Sequence, residues 1–326
     1  MQQIRYFFYT FATAMDRLTL EKGCKAVVPC VATIGMFDGV HKGHRFVLRQ
    51  VCDYAKAKGL ASCVITFDRH PREVVQTDWH PQLLTTFEER IALLEQTGID
   101  RCVVVPFTKE TAALSAHDFM QLMAERLGVK VLMIGYDNRF GHDRSASFED
   151  YVSYGLMEVK RLPSLTPDPS PIDEGSQVSS SMVRRLLEEG KIREASDVLC
   201  YPYQITGKVV KGEHVGTKLG FPTANLQLGD PHKLIPAPGV YAVRATLNAQ
   251  HSTLDSYKGM MNIGTRPTFG EHQQTLEVHI LDYDGDLYGR LLKVEFVERL
   301  RDERRFESEE ELKAQLKEDA AKVENL

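Results

Sequence analysis

The chain has 326 residues, 43% of them hydrophobic and 26% charged, and a net charge of −5. That length exceeds what one compact core usually holds, so two domains of an ordinary soluble globular kind are expected. From Tyr201 onward there are 16 Lys and Arg against 19 Asp and Glu, and the remainder carries 24 against 26; neither part is a basic body suited to nucleic acid or an anionic membrane.

The opening stretch MQQIRYFFYTFATAM has one arginine before a short apolar run. It only loosely resembles a signal peptide, with no marked cleavage site, and it is too short to span a bilayer. A leader or first strand is expected. The pattern then alternates. CVATIGMF (30–37) is a strand candidate, and GHRFVLRQVCDYAKAKG (43–59) has Val47, Leu48, Val51 and Ala55 at helical spacing and ends in glycine. ASCVITF (61–67), RCVVVPF (101–107) and VKVLMIG (129–135) are strand candidates. Between them, TFEERIALLEQTG opens with the capping box Thr86 and Glu89, and SAHDFMQLMAERLG puts Phe119, Leu122, Met123 and Leu127 on one face. Strands alternating with helices of this length imply βαβ units and a parallel sheet, with ligands at the carboxyl ends of the strands.

Prolines gather in LPSLTPDPSPIDEG (162–175), and SSSMVRRLLEEG and KIREASDVL then read as two helices. After Tyr201 come short alternating strands with glycine turns: YQITGKVVKG, GVYAVRATL, YKGMMNIG, TLEVHILDYDGD and LLKVEFVERL. Such strands without intervening helices suggest a small antiparallel barrel, closed by an amphipathic helix over SEEELKAQLKEDAAKV. The expected division is 1–199, with 1–25 poorly assigned, and 200–326. The six cysteines, Cys24, Cys30, Cys52, Cys63, Cys102 and Cys200, form no C-x-x-C pair and are expected as buried free thiols of a reducing compartment, the cytoplasm.

GMFDGVHKGH (35–44) places His41 and His44 three apart behind glycines, at the start of a helix. No cysteine or carboxylate stands at ligand spacing beside them. Free N–H groups and a partial positive charge make a helix start a phosphate site, and glycines let backbone approach. Imidazoles there can stabilise a phosphorus-centred transition state and its pyrophosphate leaving group, which is nucleotidyl-transfer chemistry. Plain helix capping is the alternative. Ser179, Ser180, Ser181 and Arg184 offer hydroxyls and a cation at another helix start, where capping or a loop is again the alternative. In LGFPTAN, Thr223 and Asn225 face the same way on an extended segment, and their oxygens suit Mg²⁺ shared with nucleotide phosphates; an ordinary strand-edge turn competes. Glu277 shares a strand face with His279, opposite Leu276, Val278 and Ile280, and a solvent-facing glutamate is the bland reading.

These stretches, in this order, are similar to one family. TIGMFDGVHKGH resembles the nucleotide-binding signature of the nucleotidyltransferase superfamily in its flavin branch, and GYDNRFGHDR and VSSSMVRRLLEEG resemble that branch's next two motifs. GKVVKGEHVGTKLGFPTANL, LIPAPGVYAV, GMMNIGTRPTFG, LEVHIL and YGRLLKVEFVERLRDERRF resemble flavokinases. Over residues 26 to 320 or so the chain resembles the bacterial bifunctional riboflavin kinase/FMN adenylyltransferase (FAD synthetase) family.

The resemblance implies an α/β, Rossmann-like nucleotidyltransferase domain followed by an all-β flavokinase-like barrel. The implied substrates are riboflavin, FMN, FAD and ATP, with Mg²⁺ and no nucleic-acid or membrane partner. It implies that His41 and His44 contact ATP phosphates, that Gly35, Phe37 and Gly39 shape the loop and that Asp38 orients it. Asp137 falls where the family places an Asn or Asp near ATP and flavin, and the serine motif with Arg184 would bind phosphate. The loop ITFDRHP, with His70, would line the flavin site, although a surface His-Pro turn fits as well. In the kinase half, the resemblance makes Glu277 the general base and Thr223 and Asn225 the metal ligands. Gly216, Lys218, Gly220 and Pro222 would form a phosphate loop that is not a Walker motif, and Asn262, Arg266 and Arg301 would touch nucleotide or flavin. Departures fall at Asn138, Ser145, Ala146 and Cys200, the last standing where glycine is common. The competing readings are another nucleotidyltransferase with a regulatory barrel, a degenerate nucleotide domain with a nucleic-acid-binding barrel, and a class I aminoacyl-tRNA synthetase. The acidic barrel and the lack of an RNA-binding extension disfavour the last two.

Overall fold

A computed structural model describes residues 15–20, 28–76, 82–135, 140–142, 145–162, 178–212, 220–247, 256–268 and 271–326, with backbone alone at 265–268 and 271–273. By contact the chain divides into two units, Met1–Pro81 with Phe87–Val178, and Gln82–Thr86 with Ser179–Leu326.

The first unit is a six-stranded parallel sheet in the order β1-β4-β3-β2-β5-β6. Its strands are β1 (Asp16–Thr19), β2 (Cys30–Ile34), β3 (Ala61–Phe67), β4 (Arg101–Val105), β5 (Val129–Ile134) and β6 (Glu158–Arg161). β2 and β4 are buried along their whole length, as expected when helices cover both faces of a parallel sheet. The edge strand β1 follows the opening stretch, of which residues 1–14 lie outside the described residues. Helix α1 (Lys42–Lys58) follows β2 and buries Leu48, Val51 and Ala55, and Gly59 ends it in the left-handed region at φ 65°. The short α2 (Pro71–Val75) follows β3, and α3 (Phe87–Glu95) precedes β4. Then come α4 (Lys109–Ala112), α5 (Ala116–Arg126) and α6 (Phe148–Ser153). Ser115 caps α5, whose Phe119, Met120 and Met123 enter the core. Of the five described cysteines, all free, Cys30, Cys63 and Cys102 are buried as expected. Cys52 is half-buried and Cys200 exposed, so burial does not hold for the whole set.

The second unit is a closed antiparallel barrel in the order β10-β11-β8-β7-β12-β9. It comprises β7 (Gln204–Val210), β8 (Ala224–Leu228), β9 (Gly239–Leu247), β10 (Ser256–Thr268), β11 (Glu271–Ile280) and β12 (Leu291–Arg301). The terminal helix α9 (Glu309–Glu324) packs on β10. Helices α7 (Ser180–Glu188) and α8 (Ile192–Leu199) group with this barrel. Arg193 of α8 pairs with Glu298 of β12 at 2.6 Å, and Ala237 N–H donates to Leu187 O at 3.0 Å. The texture change near Tyr201 marks where helices give way to strands; packing divides the chain earlier, before α7. Segment Gln82–Thr86 belongs to the second unit through main-chain bonds. Leu83 N–H donates to His232 O, Leu234 N–H donates to Leu83 O, and buried Lys233 donates to Leu84 O at 2.6 Å.

Candidate functional site

Strand order reverses around β2, since β3 lies on one side and β5 on the other. The loop leaving β2 therefore sits at the crevice where open α/β sheets bind ligands. Three residues in it have positive φ: Phe37 at 53°, Gly39 at 81° and Val40 at 36°. Glycine accepts this freely, but a β-branched valine is strained there, and such strain concentrates at functional sites. Phe37, Asp38, Val40 and His41 are all buried. The loop is a rigid tight turn, with Val40 N–H donating to Phe37 O at 3.0 Å and Arg45 Nε donating to Val40 O at 3.2 Å.

His41 is the N-cap of α1, its Nδ1 accepting from His44 N–H at 3.4 Å. The two imidazoles stack with centroids 3.7 Å apart, and Phe37 meets His44 edge-on at 5.2 Å. Gly43 leaves room for this packing, since a Cβ there would lie 3.1 Å from His41 Cε1 and press on the ring. His44 Nδ1 is shut off from solvent without a hydrogen-bond partner. Burial first, and the neighbouring His41 second, hold the His44 pKa well below the usual histidine range, so its imidazole is neutral near pH 7. The first turn of α1 carries no acidic residue to offset the positive end of the helix. Capping and phosphate recognition are therefore compatible: one imidazole fixes the turn while both rings stay at the helix start.

Beside this loop a cavity of about 280 Å³ opens at the carboxyl ends of the strands, walled by Met36, Phe67, His70, Phe107, Phe140 and His142 among others. A mostly apolar, aromatic-lined cleft of this kind suits a flat ring system. His70 caps α2 through a reciprocal box with Glu73, its Nδ1 accepting from Arg72 N–H at 3.2 Å, and it also faces the cavity. His70 is thus both the cap of a His-Pro turn and part of the cavity wall. Phe107 and Phe140 carry no sequence expectation, and Phe119 only that of a helix face: they lie far apart in the chain and only the sheet order assembles them. Asp137 and Asn138 lie outside the described residues.

In the second unit, Ser179 caps α7 by accepting from Met182 N–H at 3.2 Å, and Ser181 is exposed. Arg184 Nε donates to Gln82 O at 2.6 Å. The barrel brings the other candidates into one row. Glu277 on β11 is paired with Asn225 on β8 and with Asn262 on β10. Leu276, Val278 and Ile280 are buried while Glu277 and His279 are half-buried, so the face expected for Glu277 is the observed one. Thr223 immediately precedes β8, and the Pro222 carbonyl beside it is hydrogen-bonded to His279 Nδ1 at 2.8 Å. Gly212 closes over the row, since a Cβ there would fall 1.9 Å from Asn225 Nδ2. A cavity of about 370 Å³ adjoins Thr223, lined by Val209, Ile280 and the turn Tyr283–Tyr288, which sequence reading passed over. The chemistry of the set is a carboxylate next to an amide and a hydroxyl, hard oxygen donors that fit Mg²⁺ shared with phosphate. Among the described residues no cluster of three His, Cys, Asp or Glu is arranged to hold a metal without such sharing.

Arg301 is engaged by buried Asp319 of α9, at 2.8 Å from Nε, and donates to Asp302 O at 3.1 Å. Gly220 is described, in the left-handed region at φ 84°. Arg266 lies on β10 opposite Gln273, with backbone alone described, and Gly216 and Lys218 lie outside the described residues.

The FAD synthetase family model matches residues 25–181 and the riboflavin kinase model residues 199–326. The bifunctional riboflavin kinase/FMN adenylyltransferase of Escherichia coli strain K12 is 38% identical over 89% of this chain and 90% of its own. The protein of the same description from Bacillus subtilis strain 168 is 34% identical over 94% of each. A crystal structure described as a macrolide-efflux protein from Streptococcus pneumoniae matches with a TM-score of 0.83 at 29% identity, covering 96% of this chain and 100% of that one. Among the described residues of the present chain no helix is long and apolar enough to cross a membrane.

Proposed function

This chain belongs to the bifunctional riboflavin kinase/FMN adenylyltransferase family, and from that premise we propose how its two halves divide the work of making FAD. The kinase phosphorylates riboflavin with ATP to give FMN and ADP. The adenylyltransferase joins FMN to the AMP part of a second ATP and releases pyrophosphate. The observation that carries the division is that each unit holds its own set of reactive groups: stacked histidines on a strained phosphate loop in one, the row Asn225–Glu277–Asn262 in the other. We assign adenylyl transfer to residues 1–199 and the kinase to 200–326.

In the kinase, Glu277 takes the proton of the riboflavin 5′-hydroxyl as that oxygen attacks the γ-phosphorus and ADP leaves. Asn225 and Asn262, its cross-strand neighbours, orient it. Thr223 and Asn225 would hold Mg²⁺, which supplies charge neutralisation on the nucleotide phosphates. The cavity beside Thr223 receives the nucleotide. In the transferase, an FMN phosphate oxygen attacks the α-phosphorus of ATP. The amino terminus of α1 with His41 and His44 stabilises charge on the phosphates and on departing pyrophosphate. Neutral His44 acts there as a hydrogen-bonding group rather than a counter-charge. The aromatic cavity walled by Phe67, Phe107 and Phe140 takes the flavin ring. Ser179, Ser180, Ser181, Arg184, Asp137, Gly216, Lys218, Gly220, Pro222, Arg266 and Arg301 are assigned to phosphate, nucleotide or flavin contact by motif. The chain works in the cytoplasm, on small molecules and without nucleic acid or membrane.

The test is direct. Purified protein is incubated with riboflavin, ATP and Mg²⁺, and the flavins are resolved by chromatography over time. FMN should rise first and FAD follow, and supplied FMN should give FAD and pyrophosphate. Absence of either product refutes the half of the assignment to which it belongs.

A further inference from the structure

Among the described residues the largest fully buried side chain is that of Arg90, in α3 and 1% exposed. A guanidinium taken out of water is costly unless its donors and its charge are met, and a leucine would fill a helix face against the sheet more simply. What Arg90 touches explains its presence. Nη2 donates to Phe67 O, Nη1 lies 3.6 Å from Met36 Sδ, and the guanidinium sits 5.6 Å from the Phe87 ring centroid. Nε is buried without a hydrogen-bond partner. Burial lowers its pKa, and Asp38 gives the largest opposing, stabilising field; Asp38 is itself 4% exposed in the strained loop.

The two acceptors lie where β2 and β3 part. Their ladder runs to Ile34 opposite Ile65, and Gly35 N–H still donates to Ile65 O at 3.1 Å. Beyond that the strands diverge around the aromatic cavity, with Met36 on one wall and Phe67 on the other. Only Thr66 Oγ1, donating to Met36 O at 3.3 Å, and the Arg90 fork are seen to span the split among the described side-chain bonds. We propose that Arg90 is a positioning residue for adenylyl transfer: its fork ties the phosphate loop that starts at Met36 to the cavity wall at Phe67, and so sets the distance between the two reacting phosphates. The proposal rests on assigning adenylyl transfer to the first unit. It names a residue outside the motifs that acts through the Met36 side chain on one wall and the Phe67 carbonyl on the other.

The experiment compares Arg90→Met, Arg90→Lys and His44→Ala in the full chain, measuring kcat and KM for FAD formation from FMN and ATP. Riboflavin phosphorylation and thermal melting are measured on the same preparations. Misplacing reacting groups by a fraction of an ångström to an ångström costs up to roughly 10²-fold, so Arg90→Met should lose about that in kcat while KM for FMN stays within about threefold. Arg90→Lys keeps the charge facing Asp38 but reaches only one acceptor, and should recover kcat to within about tenfold of the parent. Kinase activity should be unchanged in all three. Parent-like kcat in Arg90→Met overturns the proposal, as does a loss that disappears on assaying further below the melting temperature, which marks a purely structural role. Should Arg90→Met fail to fold, Arg90→Lys decides: parent-like kcat overturns the proposal and a reduced kcat at unchanged KM supports it. If His44→Ala forms FAD at the parent rate, the assignment of the site itself has failed, a result distinct from parent-like Arg90 variants beside an inactive His44→Ala.

Discussion

The two candidate sites are built by opposite means. In the first unit, the candidate residues sit on a loop with a valine and a phenylalanine at positive φ, held by capping and stacking and undergirded by a buried cation. In the barrel the candidate residues sit on regular strands, where ladder register places Glu277 between Asn225 and Asn262. A loop site stores strain and depends on specific neighbours. A ladder site inherits its geometry from main-chain hydrogen bonds that no side-chain change removes. Substitutions should therefore be separable in the barrel, changing chemistry without fold, and entangled in the loop.

The sharpest test of the separable case is Glu277→Gln. The amide keeps the volume but accepts no proton, so FMN formation should fall roughly 10²–10⁴-fold. Melting temperature, riboflavin affinity and FAD formation from supplied FMN should stay near the parent's. If FMN formation survives, Glu277 is an ordinary strand residue. The entangled case is tested by His41→Ala. It should cost FAD formation about 10²–10³-fold through lost stabilisation of phosphate charge, and also about 1 kcal/mol of stability through the lost cap. A loss of activity at unchanged stability would erase the contrast. Gly212→Ala tests whether the ladder site has one delicate point. The added Cβ must push the Asn225 amide away, and kinase turnover should drop roughly tenfold with the barrel still folded.

A fourth test uses pH. The native His44 pKa is depressed, so as pH falls through about 6.5 the unfolded chain binds a proton that the native state refuses. This contribution to stability is complete above that pH and is lost below it. Denaturant midpoints measured from pH 7.5 to pH 5 should fall less steeply for His44→Gln than for the parent. The smallest effect is expected at Cys200, the left-handed C-cap of α8 at φ 64°. Relieving a side chain there with Cys200→Gly should raise stability by about 1 kcal/mol, read as a small rise in melting temperature with both activities intact.

Much of this was legible in the sequence, for identifiable reasons. The glycine ending α1, the β-rich runs of the parallel sheet and the alternation around Glu277 are local signals, and each element appeared within a few residues of its expected place. The departure at Cys200 also had a local reading, since glycine is favoured where the chain turns left-handed. Non-local facts were not legible. Nothing near Arg90 in TFEERIALL distinguishes a core cation from a solvated one, because its acceptors come from the loop after β2 and the end of β3. The aromatic cavity gathers residues from positions 34 to 142, and the positive φ of Val40 has no compositional sign. The ion pair of Arg301 with Asp319 was not legible either, since Asp319 lies on the last helix and only the closed barrel brings it near.

The segment Gln82–Thr86 has a consequence for how the chain is born. It leaves the ribosome long before Lys233, whose ammonium finally binds Leu84 O across a separation of 149 residues. At about 5–20 residues per second, that interval is roughly 7–30 s of translation. During it, Leu83 and Leu84, both buried in the finished protein, wait for the hydrogen bonds that His232, Lys233 and Leu234 make to their main chain. The first unit can begin to fold on schedule, but the segment Gln82–Thr86 must wait for the partners it takes from His232–Leu234. Rare codons or pauses placed between residues 87 and 233 would lengthen that wait, and the nascent chain would then need a holdase more than the finished enzyme ever does.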